Sequence, residues 1–352
     1  MLACLPVLAV CFSLLQDAPI EEAWKVELDD LILGSPVVHQ NLVIVASKGG
    51  TLKAFRMETG EPAWTGGADS AVICPPAIHN GRLYVPGGAS TSILDPATGQ
   101  KEKGNAPGAV RLIQGQTKLF LLGGIAFDGS YILGPSKAVM CLEGDTGKYL
   151  WTWEGVAMEV GAVVEASGRV YLASHKQMLV LDAKSGKELK GPERSTPGLT
   201  FHGLADRDHI IFQGWSAPLV CYDAKSTREL WRRSRKPESS SGIIPPALVQ
   251  DRLVLALLPE IVGLESRSGG ERWKLKVEAK AEFSHAPPAV RGREVCVGAN
   301  GKLFGIDSVG GKVQWTLDAV KPDNSFHAHQ PAWSGDRLLY ACGKTLYCYK
   351  PR

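Results

Sequence analysis

One short motif recurs seven times along this chain of 352 residues, and it constrains the fold more than any other feature. Its fullest form is Ala/Cys/Gly-x-Asp/Glu-x-x-Thr/Ser-Gly-x-x-x-Trp, as in Cys141 to Trp151. The glycine position, here named the anchor, falls at residues 60, 99, 147, 186, 227, 269 and 311, at spacings of 39 to 48 residues. Such a period indicates a solenoid, a propeller or an array of supersecondary units.

Most motifs follow a second recurring segment, which consists of two β-rich runs joined by a polar turn, as in residues 34–45 and 74–85. This pattern predicts a hairpin. The motif itself predicts a tight turn in which glycine supplies a positive φ, followed by a further strand. Four strands in about 42 residues, repeated along the chain, are typical of propeller blades.

The two ends of the chain predict how the ring closes. Residues 338–340 and 345–350 repeat two strands of a blade, but the chain then stops before the turn and the tryptophan. Residues 23–28 supply the missing tryptophan and an alternating strand, so we expect them to complete the blade built by residues 326–350. The predicted fold is all-β, an eight-bladed β-propeller of four-stranded antiparallel blades, closed by the N- and C-terminal strands. Residues 19–352 are expected to form this single domain.

Tryptophan and glycine occupy fixed motif positions, so we interpret them as structural. A flat ring four residues after the anchor fills the wedge between blades. These residues are Trp24, Trp64, Trp151, Trp231, Trp273 and Trp315, with glycines Gly60, Gly99, Gly147, Gly186, Gly269 and Gly311. Trp153, Trp215 and Trp333 lie outside this frame, and we expect them on a loop or a funnel surface.

Three cysteines also follow the motif. Cys141, Cys221 and Cys348 occupy a position where other copies have Ala54 or glycine, which indicates a slot for a small buried residue. The chain has no C-x-x-C pair and no adjacent cysteines. We therefore expect no disulfide.

No catalytic motif stands out, and we expect no catalytic residues and no residues bound to a cofactor. Four histidines precede or begin inner strands of the fifth, seventh and eighth blades: His202, His285, His327 and His329. One hypothesis is that they form a metal or anion site at a channel mouth. The alternative, which we favour, is that they are solvated loop histidines, since no carboxylate accompanies them. The basic cluster at residues 232–236 is expected to lie in a solvated loop.

The first fifteen residues are almost wholly apolar, which predicts a signal peptide over residues 1–18 and export to the periplasm or envelope. The flanks fit this less well, because no basic residue precedes the apolar run and Gln16-Asp17-Ala18 is a poor cleavage site. Lipid anchoring at Cys11 is an alternative, although Val10 is bulky for that signal. A net charge of +3 argues against nucleic-acid binding.

The repeated motif resembles the pyrroloquinoline-quinone (PQQ)-type repeat of the quinoprotein alcohol dehydrogenase-like superfamily of propellers. That superfamily includes PQQ enzymes and a BamB-like branch of non-catalytic envelope scaffolds. The chain lacks adjacent cysteines and is short for the enzymes' inserted loops, so the resemblance favours the second branch. It implies a monomeric, cofactor-free scaffold for envelope proteins, associated with a membrane at most through an N-terminal anchor.

Two other functions stay open. The first is a PQQ-dependent oxidoreductase that also uses Ca²⁺. The second is a sensor or carbohydrate-binding propeller in which the off-frame tryptophans stack on the ligand.

Overall fold

The computed structural model of the protein describes seventeen stretches of the chain: residues 19–32, 34–72, 75–87, 90–107, 111–114, 118–123, 138–143, 148–154, 160–174, 177–191, 200–214, 218–234, 245–257, 259–277, 288–299, 302–318 and 330–352. The regular structure of these stretches is entirely β, which confirms the predicted all-β class. Among the described residues no helix is long and apolar enough to cross a membrane.

Seven sheets each consist of four consecutive antiparallel strands. Blades 1 to 4 are β2 (Val37–His39), β3 (Leu42–Ala46), β4 (Thr51–Arg56) and β5 (Pro62–Gly67); β6 (Ala77–His79), β7 (Arg82–Pro86), β8 (Ser90–Leu94) and β9 (Lys101–Pro107); β10 (Arg111–Gln114), β11 (Lys118–Gly123), β12 (Ala138–Glu143) and β13 (Tyr149–Glu154); β14 (Val160–Ala166), β15 (Arg169–Ser174), β16 (Met178–Asp182) and β17 (Glu188–Leu189). Blades 5 to 7 are β18 (Thr200–Ala205), β19 (His209–Gly214), β20 (Leu219–Asp223) and β21 (Glu229–Arg233); β22 (Ala247–Val249), β23 (Arg252–Leu257), β24 (Glu260–Glu265) and β25 (Glu271–Lys276); β26 (Ala289–Arg291), β27 (Glu294–Ala299), β28 (Lys302–Asp307) and β29 (Val313–Asp318).

The remaining four-stranded sheet is a composite of the two chain ends. It joins β30 (Gln330–Ser334), β31 (Arg337–Cys342) and β32 (Thr345–Pro351) to β1 (Ile20–Glu27), which pairs antiparallel with β32. The predicted count of eight blades is therefore wrong. Seven blades are each made from a single continuous stretch of chain, and the remaining sheet is a composite of two separate stretches. The reason is that β32 pairs with β1, so this sheet has its outer strand from the N-terminal part of the chain and its other three strands from the C-terminal part.

Burial orders the strands of each blade from the axis outwards. The first strands of neighbouring blades contact one another, as β14 does with β18 and β26 with β30, so they surround the axis. The second and third strands, such as β23 and β24, are buried along their lengths. The fourth strands alternate between exposed and half-buried residues, as β25 does, because only one face packs on the neighbouring blade.

A tryptophan on the outer strand of five blades contacts the next blade in the same way. The indole Nε1 donates a hydrogen bond to the backbone carbonyl three residues before the next anchor, and the ring packs on that anchor glycine. The donor–acceptor pairs are Trp24–Met57 at 2.8 Å, Trp64–Pro96 at 3.1 Å, Trp151–Ala183 at 3.2 Å, Trp231–Ser266 at 2.8 Å and Trp273–Ser308 at 2.8 Å. We name this contact the indole lock.

The small slot of the motif lies directly across the sheet from the tryptophan. Trp151 pairs with Cys141 in register, Trp231 with Cys221, and Trp24 with Cys348. The other tryptophan blades have alanine or glycine there. Only a small residue fits opposite the ring, because the indole covers the space that a larger side chain would occupy.

Blade 4 shows what replaces the indole lock where the tryptophan is missing. Lys190 stands at its tryptophan position, and the next anchor is Thr227, with a φ of 59°. The carbonyl of Ala224, three residues before this anchor, accepts a hydrogen bond from the buried hydroxyl of Tyr171 in β15. Since no ring covers the anchor, a threonine side chain fits there.

Trp315 of blade 7 is the second exception. The composite sheet has no motif turn to receive its indole, and Trp315 donates instead to Glu294 of its own blade, at 2.5 Å. The other carboxylate oxygen of Glu294 accepts from Arg291 at 2.6 Å. The buried indole is therefore satisfied without a partner in the next sheet.

The indole lock predicts that an anchor glycine tolerates a methyl group poorly. In Gly269→Ala the new Cβ would lie 2.7 Å from the Trp231 ring. Gly168→Ala is the matched control, since both residues have a positive φ (68° and 72°) and Gly168 has no described neighbour within 4 Å. We expect Gly269→Ala to lower the free energy of unfolding by about 1–3 kcal/mol more than the control. Urea unfolding followed by tryptophan fluorescence measures this difference. An equal loss of unfolding free energy in the two variants would contradict the role of the indole ring at the anchor.

Removing a hydroxyl from either of two buried tyrosines should have opposite effects. Tyr171→Phe leaves the Ala224 carbonyl without its donor and should cost about 1–3 kcal/mol of unfolding free energy. Tyr222→Phe in the same core cluster should be neutral or stabilising, because among the described residues its hydroxyl has no hydrogen-bond partner. Urea midpoints of the two variants compare them directly, and a larger loss for Tyr222→Phe would refute this assignment.

Candidate functional site

The structure places only one of the four predicted histidines within the described residues. His202 lies in β18, half-buried and opposite Gln213 of β19 in the ladder. His285, His327 and His329 lie outside the described residues. Among the residues that the structure does describe, no group of three or more His, Cys, Asp or Glu side chains is placed to hold a metal ion. The metal or anion hypothesis stays a prediction.

Two of the three off-frame tryptophans belong to the packing of the ring, contrary to the surface role expected for them. Trp153 is buried between blades 3 and 4, and its indole donates to Glu188 at 2.9 Å. Trp333 is half-buried in β30, with the guanidinium of Arg291 3.7 Å above its ring centre. Trp215 lies outside the described residues.

The basic cluster begins in a strand rather than in a loop. Arg232 and Arg233 are the last residues of β21. Arg232 pairs with Glu229 at 2.7 Å, and Arg233 pairs with Glu271 of the next blade at 2.5 Å. These two charges are therefore neutralised locally. The remainder of the cluster, from Arg235, lies outside the described residues.

The described thiols are structural as well. Cys141, Cys221, Cys296, Cys342 and Cys348 are all buried and in the thiol form. Burial raises the pKa of Cys221 to about 12 and that of Cys348 to about 11. Such thiols stay protonated near neutral pH and are poor nucleophiles and metal ligands.

A regular apolar array lies on the outer strands of three consecutive blades. In each of them a leucine is the second residue of the strand, and a basic residue immediately precedes the strand. The residues are Lys148 and Leu150 of blade 3, Lys187 and Leu189 of blade 4, and Arg228 and Leu230 of blade 5. We name these six residues the basic–leucine rim.

The rim includes two of the five large apolar side chains that are exposed among the described residues, Leu150 at 37% and Leu189 at 38%. A third, Tyr149 at 48%, lies beside Leu150 in the same strand. Leu230 is half-buried, and all three basic residues are exposed. Exposed apolar side chains that recur at equivalent places on neighbouring blades favour an interaction surface.

The motif and the blade interfaces position the rim. Each rim strand begins directly after a motif turn, so the three leucines lie at one level around the ring. Trp151 and Trp153 then fix β13 against blade 4 through Ala183 and Glu188. The part of the rim on blade 3 is therefore held on the core of the propeller.

The sequence held a signal for this surface that the analysis of the motif missed. At the third residue after the anchor, the other continuous blades have Ala63, Glu102, Arg272 and Gln314. Leucine occurs there only in copies three, four and five. A comparison of the variable positions, rather than of the shared ones, would have located the rim.

The comparison with known families decides where this ring belongs. The model of the family described as "Outer membrane protein assembly factor BamB" matches residues 17–102 and 216–352, well over half of the chain. The chain belongs to the BamB family. This assignment confirms the predicted resemblance to the PQQ-type repeat propellers.

Solved structures support the same fold for this BamB-family chain. BamB from Moraxella catarrhalis is 14% identical, with a TM-score of 0.67 over 94% of this chain and 97% of its own. The computationally designed protein Ika8 is also 14% identical, with a TM-score of 0.77 over 94% of this chain and 99% of its own. A quinohemoprotein alcohol dehydrogenase from Pseudomonas putida HK5 is 10% identical, with a TM-score of 0.67 over 95% of this chain and 76% of its own.

These identities show the fold of the BamB-family chain and not its activity. No curated protein matches the chain. The family match leaves out residues 103–215, which include the rim residues of blades 3 and 4. That part of the rim is therefore not covered by what this chain shares with the BamB family model.

The buried thiols of this BamB-family protein predict a loss of stability at alkaline pH. A thiol pKa near 8.5 in the unfolded chain rises to about 12 at Cys221 in the folded protein. The stabilisation is fully present below pH about 8.5 and is lost as the pH rises towards 12, by about 1 kcal/mol per thiol near pH 9.5. Cys221→Ala, which introduces the residue of blade 1, should lose less unfolding free energy than the wild type between pH 7.5 and 9.5. Urea unfolding at both pH values tests this, and identical losses would contradict it.

Proposed function

We propose that this protein is an exported, non-catalytic scaffold of the cell envelope that holds partner proteins on its basic–leucine rim. The observation that carries the proposal is the repetition of a basic residue and a leucine at equivalent places on three consecutive outer strands. A folded protein gains free energy by burying leucine, so two leucines left more than a third exposed at equivalent places on neighbouring outer strands favour a binding role.

Family membership supports the envelope setting. The matching family is described as an outer membrane protein assembly factor, and the solved relative is named BamB. By analogy, the partners we propose are proteins that assemble in or near the outer membrane. The apolar first fifteen residues agree with export, and the lipid anchor at Cys11 stays an alternative to a cleaved signal peptide.

Affinity capture from envelope extracts tests the scaffold function. The tagged wild-type protein should enrich outer-membrane assembly proteins, and Leu150→Ser/Leu189→Ser should lose most of that enrichment because the apolar contact is removed. Val309→Ser is the matched control, since Val309 is 38% exposed but lies in the motif turn of blade 7. Its capture should equal that of the wild type.

Two results would contradict the proposal. One is capture that is unchanged in the double leucine variant. The other is catalysis: reconstitution with PQQ and Ca²⁺ that gives dye-linked alcohol oxidation above the cofactor-free control would favour the oxidoreductase instead.

A further inference from the structure

We infer that the partner segment seated on the basic–leucine rim is an acidic polypeptide with apolar side chains, bound across the outer strands of blades 3 to 5. This inference rests on the proposed scaffold function and specifies the chemistry of the partner. It follows from what the rim presents to solvent in charge and in spacing.

Basic side chains outnumber acidic ones among the exposed charges around the rim, where Glu154 and Glu188 are the exposed carboxylates. Lys148, Lys187 and Arg228 are exposed, and so are Lys184 and Lys190 beside them. A partner that approaches the rim therefore meets ammonium and guanidinium groups first. Complementary charge at the edge of an interface speeds association and selects acidic partners.

Several carboxylates of the same strands and turns accept hydrogen bonds or pair with an arginine. Asp182 accepts hydrogen bonds from the backbone and the hydroxyl of Ser185, both at 2.7 Å. The equivalent bonds from Ser226 lower the pKa of Asp223. Glu188 accepts from the Trp153 indole, and Glu229 pairs with Arg232. These hydrogen bonds orient the carboxylates without cancelling their charge, so the positive charge of the rim is the excess of its exposed basic residues over these acids.

The spacing of the rim favours a polypeptide over a lipid surface. Each of the three blades has a leucine with a basic residue two positions before it, and the leucines of blades 3 and 4 are exposed. An extended segment whose acidic and apolar side chains stand two positions apart, and therefore on one face, matches the pair on each blade. A membrane would need protruding apolar side chains, whereas Leu230 is half-buried in the core between blades 5 and 6.

Binding of a defined probe tests the inference. The probe is a short capped peptide in which Glu and Leu take turns at every second position with Ser between them, so that both lie on one face when the peptide is extended. Its binding to the full chain is measured by fluorescence anisotropy at low salt. We expect Lys148→Glu/Lys187→Glu/Arg228→Glu to weaken its binding about tenfold, since each exposed charge contributes modestly. Among single variants, Lys187→Glu should weaken binding and Lys312→Glu should not. Lys312 also follows an anchor, but Gln314 takes the place of the leucine.

Three results would overturn the inference: equal affinity of the triple variant, equal affinity for a Lys–Leu peptide, or rim-dependent binding to phosphatidylglycerol vesicles without binding to the Glu–Leu peptide. Envelope capture with the triple variant separates this inference from the scaffold function. Capture that depends on the two leucines but not on the three basic residues would leave the scaffold intact and refute the acidic partner. If the wild-type protein captures no envelope proteins, the scaffold function is refuted, whatever the result with the peptide.

Discussion

The hydrogen bond from an outer-strand indole to a carbonyl of the next blade is the contact on which the rest of this ring depends. It joins two blades that share no backbone ladder, and it places a flat ring where only glycine fits at the anchor. The same ring requires a small residue opposite it in its own sheet. One interaction therefore explains three positions of the motif, on two blades.

The exceptions follow the same constraint. Blade 4 has lysine instead of tryptophan, so no ring covers the next anchor and a side chain fits there, that of Thr227. The Tyr171 hydroxyl donates to the Ala224 carbonyl that an indole would otherwise reach. Blade 2 also lacks the tryptophan, with Lys103 at that position, and it carries the fully buried Tyr84 as the third residue of its second strand, as Tyr171 is in blade 4. The two blades without tryptophan thus share a tyrosine in the core.

The repeat was enough to predict the propeller class and the strand that β1 contributes, because period and turn chemistry are local properties of a sequence. It was not enough to place Trp153 or Tyr171. Their partners, Glu188 and Ala224, lie in the next blade, and no repeated frame shows which side chain crosses an interface. The rim was missed for a related reason, since its leucines occupy a variable position of the motif. Binding surfaces arise where equivalent positions differ, so a search for shared residues passes over them.

The indole locks also link the fold to the proposed function. Where a lock is present, it fixes the outer strand from its third residue onwards, which leaves the residue before the tryptophan at the edge of the ring. In blade 3 that residue is the exposed Leu150. Blade 4 has no lock, and its exposed Leu189 occupies the same motif position before Lys190. Site-specific photo-crosslinking in intact cells tests this account most directly, with a photoreactive phenylalanine analogue at position 189 and, separately, at position 309. The account predicts adducts with envelope proteins from position 189 and none from position 309. Equal adducts from both positions, or adducts from 309 alone, would contradict it.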